Sequence, residues 1–179
     1  LRFFGEPTAI LRTSERTLRE VRGIGARTAE AIVNWQQHVD LDEEKRRVER
    51  AGVTLLTRED EDYPPLLREI HDPPICLYVR GAPEVLARTR SSVSMVGSRR
   101  VTNYGRKMAD NLGSAAGAAG WPVVSGLARG IDTVVHEAVV RMGGTAIAVL
   151  GSGLGRLYPQ ENIALARRIT ENGVVISEF

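Results

Sequence analysis

The chain has one cysteine, two lysines and no long apolar run, and each shortage excludes something. With Cys76 alone, neither an internal disulfide nor a cysteine-based zinc site can form. Its setting, Ile75-Cys76-Leu77-Tyr78-Val79, marks it as a small core hydrophobe rather than a nucleophile. No stretch is long enough to span a bilayer, and the opening LRFFGEPTAI lacks the charged-then-apolar layout of a signal peptide. The expected address is the cytoplasm. No G-x-x-x-x-G-K-[ST] occurs, so P-loop ATP chemistry has no support. Gly151-x-Gly153-x-Gly155-Arg156 misses the dinucleotide fingerprint, because Arg156 stands where the third glycine belongs and Glu171 falls inside a helix. That argues against a nicotinamide dehydrogenase. Lys45 and Lys107 are the only lysines, so almost all positive charge is guanidinium, which suits bidentate phosphate contacts and equally fits a bias of genome composition.

What is present centres on residues 92–132, SVSMVGSRRVTNYGRKMADNLGSAAGAAGWPVVSGLARGID. The order reads strand (Val93–Val96), glycine turn, helix (Tyr104–Ala119, capped by Thr102), strand (Val123-Val124), glycine turn. A strand–helix–strand unit of this length forces a parallel pair. Both turns then lie at the carboxyl ends of neighbouring strands, where ligands bind in open α/β sheets. Between Gly97 and Gly130 stand five cations and one acid, Asp110, in a chain of net charge +2. A phosphate-bearing ligand is the inference. A third glycine turn, Gly151-Ser152-Gly153, follows the apolar strand Thr145–Leu150 at the same edge. Tyr158 after it either stacks a base or anchors the loop. Gln160–Asn172 reads as an amphipathic helix with Ile163, Leu165, Ala166 and Ile169 inward, and Val174–Ile176 as a further strand. The chain stops where a fourth loop would begin, which reads as a fragment of a longer product.

The connector from Arg58 to Asp72 holds six acids and two arginines. It is a poor phosphate surface and is expected at the far sheet edge or against a partner. His71 beside Asp72 reads as a turn histidine. Asp132 and His136 share a helix face, with Glu137 adjacent. A metal pair would need further ligands, so Asp132 is expected to cap the helix with His136 hydrogen-bonded nearby. No metal and no cofactor are expected. Residues 1–51 read as short helices and 52–179 as the α/β domain. In the first part, a helix is expected to end at Gly23, with Gly25 turning the chain into a helix bearing Ala29, Ile32 and Val33. Arg22-Gly23-Ile24-Gly25-Ala26-Arg27 resembles a helix–hairpin–helix motif, whose hairpin amides hold a DNA phosphate. An αα-hairpin used only for packing fits the same residues. Residues 40–49 read as a solvated helix.

Five stretches together resemble the DNA-processing protein A (DprA/Smf) family. They are YPPLLREIHDPPICLYVRG (63–81), MVGSRRVTNYG (95–105), VVSGLARGIDTVVHEAV (123–139), GGTAIAVLGSGLGRLYPQEN (143–162) and GVVISEF (173–179). The resemblance implies a Rossmann-like parallel sheet flanked by helices, behind a small all-α helix–hairpin–helix (SAM-like) domain. It implies a non-enzymatic protein that binds single-stranded DNA, protects it and loads the RecA recombinase during natural transformation in competent cells, as a homodimer and without a membrane. Carried over by position, the binding residues are Gly97, Ser98, Arg99 and Arg100, then Ser125, Gly126, Ala128, Arg129, Gly130 and Asp132, then Gly151, Ser152, Gly153 and Tyr158. Arg99 is expected on phosphate. Leu127 stands where the family often has a second glycine. Arg22, Gly23, Gly25 and Arg27 are weaker DNA candidates. The competing reading is an enzyme that cleaves a nucleoside monophosphate, like the lysine-decarboxylase-like phosphoribohydrolases. Here, though, Gly143-Gly144-Thr145 leads into a strand with no glutamate at that group's spacing. Glu137 and Glu178 are the only carboxylates nearby.

Overall fold

The computed structural model describes residues 3–179, which divide into two compact units, one up to Arg47 and one from Val48 to Phe179.

The first unit is helical. It contains α1 (Pro7–Arg12), α2 (Glu15–Arg19), α3 (Ala26–Val33), α4 (Trp35–His38) and most of α5 (Leu41–Arg50). The Ser14 hydroxyl accepts the Thr17 amide and starts α2, an ordinary N-cap. Helix α2 ends at Arg19 rather than at Gly23, because residues 20–23 form a turn in which Gly23 takes φ +94°. Gly25 then caps α3 with extended backbone. Leu18 and Ala29 are fully buried, while Val33 is exposed. Asp40 caps α5 by accepting the Asp42 and Glu43 amides, and α5 buries no residue, as a solvated helix should.

The second unit is a six-stranded sheet in the order β1-β2-β6-β5-β4-β3. The strands are β1 (Thr54–Thr57), β2 (Cys76–Gly81), β3 (Val93–Ser94), β4 (Val123–Ser125), β5 (Ala146–Leu150) and β6 (Val174–Ser177). Strands β3 to β6 are parallel, as the helical crossovers demand. The sheet is mixed, because β2 runs antiparallel to β6 and β1 antiparallel to β2. The acidic connector joins β1 to β2 at that edge, through the short α6 (Pro65–Arg68).

One sheet face is covered by α7 (Asn103–Ala118), α8 (Ile131–Arg141) and α9 (Ile163–Asn172), packed on Val123, Ala146, Ala148 and Val175. The opposite face carries Ile147, Val174 and Ile176 under Tyr63 and Leu86. Alternation along β5 explains why Ala146 and Ala148 meet one layer and Ile147 the other. Residues 83–91 form a 3-10 helix. One helical reading is adjusted. Residues 160–162 form a separate 3-10 turn, which leaves Ile163 exposed at the head of α9 rather than inward.

Candidate nucleic-acid interface

Three loops leave the carboxyl ends of β3, β4 and β5. Thr102 caps α7 by accepting the Gly105 amide at 3.0 Å, which ends the first loop. The first and second loops touch through bare backbone. Gly130 has φ +92°, and a Cβ there would meet the Ser98 carbonyl at 2.3 Å and Arg99 Cα at 2.7 Å. Only glycine combines that φ with that approach. The Ile131 amide donates to the Ser98 carbonyl at 3.2 Å, so the start of α8 holds the first loop. A Cβ on Gly97 would strike the Ile131 side chain.

Asp132 binds the two loops together. Its carboxylate accepts the amides of Gly126 (3.0 Å), Ala128 (3.4 Å) and Gly97 (3.4 Å). It is buried, and the residue that caps α8 is Gly130. The expectation of Asp132 as a helix cap is therefore corrected: Asp132 is the second residue of α8, and its carboxylate accepts amides of the loops instead. Gly97, Gly126 and Ala128 thus spend their amides internally.

His136, one turn further on, is wholly buried, and neither ring nitrogen has a hydrogen-bond partner; the Ser125 hydroxyl, also buried, has none either. Burial pushes the imidazole pKa down to about 4, against smaller opposing pulls from the Ser125 backbone and Asp132. The expected hydrogen bond of His136 does not form. The described residues contain no group of three or more His, Cys, Asp or Glu placed to hold a metal.

The cations stand outside this frame. Arg99 and Arg100 are exposed, and no hydrogen bond or ion pair of their side chains occurs among the described residues. The Ser98 hydroxyl shapes their turn by donating to the Arg100 carbonyl and accepting the Arg100 amide. Arg129 is also exposed, but its guanidinium is held by Glu161 and lies over the Tyr158 ring. The third loop is tied to β6: the Ser177 hydroxyl donates to the Ser152 carbonyl, and Gly153 sits against the Phe179 backbone. Gly151 is open. Asn162 donates its side-chain amide to the Leu127 carbonyl and the Thr133 hydroxyl, anchoring the segment after Tyr158 to the second loop. Sequence reasoning passed over Asn162 and Glu161. Gln-Glu-Asn after Tyr-Pro reads as an ordinary helix start, so nothing in the string marks them.

Arg22, Gly23, Gly25 and Arg27 belong to the first unit, where all four are exposed or half-buried around the α2–α3 turn. Glu137 is exposed on α8 and Glu178 is exposed after β6. An apolar hollow of about 330 Å³ lies on the face opposite α7–α9, between Leu66, Leu86, Val124 and Ile176. Its lining has no cation and includes Glu178, so it is the wrong chemistry for phosphate.

Residues 54–179 match the family model described as DNA recombination-mediator protein A. Protein Smf from Synechocystis sp. is 35% identical over 167 residues, covering 90% of this chain and 41% of that protein. The crystal structure of DNA processing protein A from Streptococcus pneumoniae superposes with a TM-score of 0.77 at 28% identity, over 94% of this chain and 57% of that one. DNA processing protein A from Helicobacter pylori, which has a unique single-stranded DNA binding mode, gives 0.62 at 28% identity, over 72% and 57% of the two chains. The chain thus spans about two-fifths of the length of the curated relatives it matches.

Proposed function

The chain belongs to the DNA recombination-mediator protein A family, and from that premise we propose that its three-loop rim binds the sugar–phosphate backbone of single-stranded DNA without breaking a bond. The observation that carries this is the joining of the first two loops by Asp132 and Gly130, with Arg99 and Arg100 outward and unopposed. With three loop amides spent on Asp132, phosphate contact falls to guanidinium groups, which read charge and not base identity. Tyr158, 61% exposed, supplies a face for a base. The single-stranded DNA binding of the Helicobacter pylori relative supports the same ligand.

Family membership also supports the wider role. The bound strand is protected and passed to the RecA recombinase in the course of natural transformation, by a cytoplasmic homodimer. The helical first unit, with Arg22, Gly23, Gly25 and Arg27, is either a second weak DNA contact or a docking hairpin.

The test is anisotropy titration of labelled single- and double-stranded oligonucleotides across a salt series. Single strands bind more tightly, and the log–log salt slope is about −0.7 for each phosphate neutralised. A flat salt response, or no preference for single strands, would sink the proposal. Release of free base from a mononucleotide panel would favour the phosphoribohydrolase reading instead.

A further inference from the structure

Arg129, Glu161 and Tyr158 form a cluster that a plain phosphate rim does not require. Arg129 Nε donates to Glu161 Oε1 at 2.6 Å and Nη2 donates to Oε2 at 2.8 Å, a two-pronged fork. The same guanidinium lies 5.6 Å from the Tyr158 ring centroid, in cation–π range. The geometry is prepared from below. Asn162, next to Glu161, is buried and anchored to Leu127 and Thr133, so the carboxylate is presented to Arg129 from a fixed point. Glu161 also holds the Arg129 charge in place, and its own carboxyl sits below the usual range because of that hydrogen bond.

A carboxylate and a phosphodiester offer a guanidinium the same paired oxygens. The ion pair is open to water, with side chains 52% and 55% exposed, and such pairs contribute little net free energy. An incoming phosphate therefore meets a partner that is well shaped but weakly held.

Resting on the nucleic-acid reading above, we propose that Glu161 is an internal stand-in for phosphate, which occupies the Arg129 fork until a strand's phosphate replaces it, beside an exposed Tyr158 ring that takes a base. Glu161 is thus a residue that sets affinity without touching the bound strand, and the Tyr158 ring is what separates a nucleotide from an isolated anion.

The experiment compares the unmodified protein with Glu161→Gln, Tyr158→Leu and, as a charge control, Glu171→Gln on the exposed surface of α9. Each is titrated with labelled oligothymidylate and with an abasic sugar–phosphate oligomer of equal length. Glu161→Gln is expected to bind both oligomers roughly two- to fivefold more tightly at low salt. Glu171→Gln is expected to gain less than about twofold, since a distant exposed charge is screened. Tyr158→Leu should weaken oligothymidylate and leave the abasic oligomer unchanged. If Glu161→Gln binds equally or more weakly while the unmodified protein binds normally, the stand-in is overturned and Glu161 is a positioning residue for Arg129. If the unmodified protein binds neither oligomer, the nucleic-acid reading falls and this inference with it.

Discussion

Arg99 and Arg100 carry most of the free positive charge that the rim offers to solvent. Replacing Arg99 with Ala should lower single-strand affinity to a similar degree on every base sequence and reduce the magnitude of the salt slope by about 0.7, as expected for one lost phosphate contact. Titrations at several salt concentrations on two unrelated sequences check both parts. His136 tests a different property. Its folded pKa, about 4, lies below the ordinary histidine value. In the pH window between them the unfolded chain takes up a proton that the native state refuses, so stability falls as pH drops from about 6.5 towards 4. The loss amounts to at most about 3–4 kcal/mol. Urea unfolding at pH 7 and pH 4.5 should show this drop, and His136→Leu should flatten it. Leu127 sets two effects against each other. Its φ of +54° strains a non-glycine residue by roughly 1–2 kcal/mol, yet its side chain is fully buried. Truncating a buried leucine costs about 2–5 kcal/mol. Burial wins, so Leu127→Gly should lower the denaturant midpoint.

The α7–α8 pair positions the rim. The two helices approach closely because α7 carries glycine where they cross: a Cβ on Gly113 would meet Ala138 Cβ and the Val135 carbonyl at 3.1 Å. Gly117 similarly lies against Val139 and under Gly144. A leucine at 113 has no room and should destabilise the unit by about 1–3 kcal/mol. It should also weaken strand binding, because α8 holds the first loop through Ile131. Thermal unfolding and anisotropy on the same sample measure the two consequences. The sequence showed these helices plainly, since Thr102, a run of small residues and the double glycine at 143–144 are strong local signals. It did not show that residues 83–91 close into a 3-10 helix or that 160–162 break from α9. Those turns answer to what they cover: Leu86 roofs the second core, and Asn162 reaches back to the second loop.

Across the α/β unit, the two faces of the sheet have different tasks. One is sealed by three helices, whose connecting loops rise to the carboxyl edge. The other is roofed by the connector, through Tyr63 and Leu67, and by Leu86. The rim loops carry the exposed Arg99, Arg100 and Arg129, while the stability of the unit rests on two apolar cores. Raising salt should therefore weaken strand binding much more than it changes thermal stability, and a pair of titration and melting series in sodium chloride would show whether it does.

The order of strands and helices, the parallel crossovers and the three glycine turns were all written in local pattern. Hydrophobic runs, caps and glycines act over a few residues, so their consequences can be read from neighbours in the chain. Three things were decided only by folding. Asp132 reaches amides on two different loops, the sheet gains an antiparallel edge from β1 and β2, and Glu161 meets Arg129 across 32 positions of sequence. Each is a pairing between distant segments whose members look ordinary where they stand, and only the packing of α8 and its neighbours on the sheet brings them within hydrogen-bond reach.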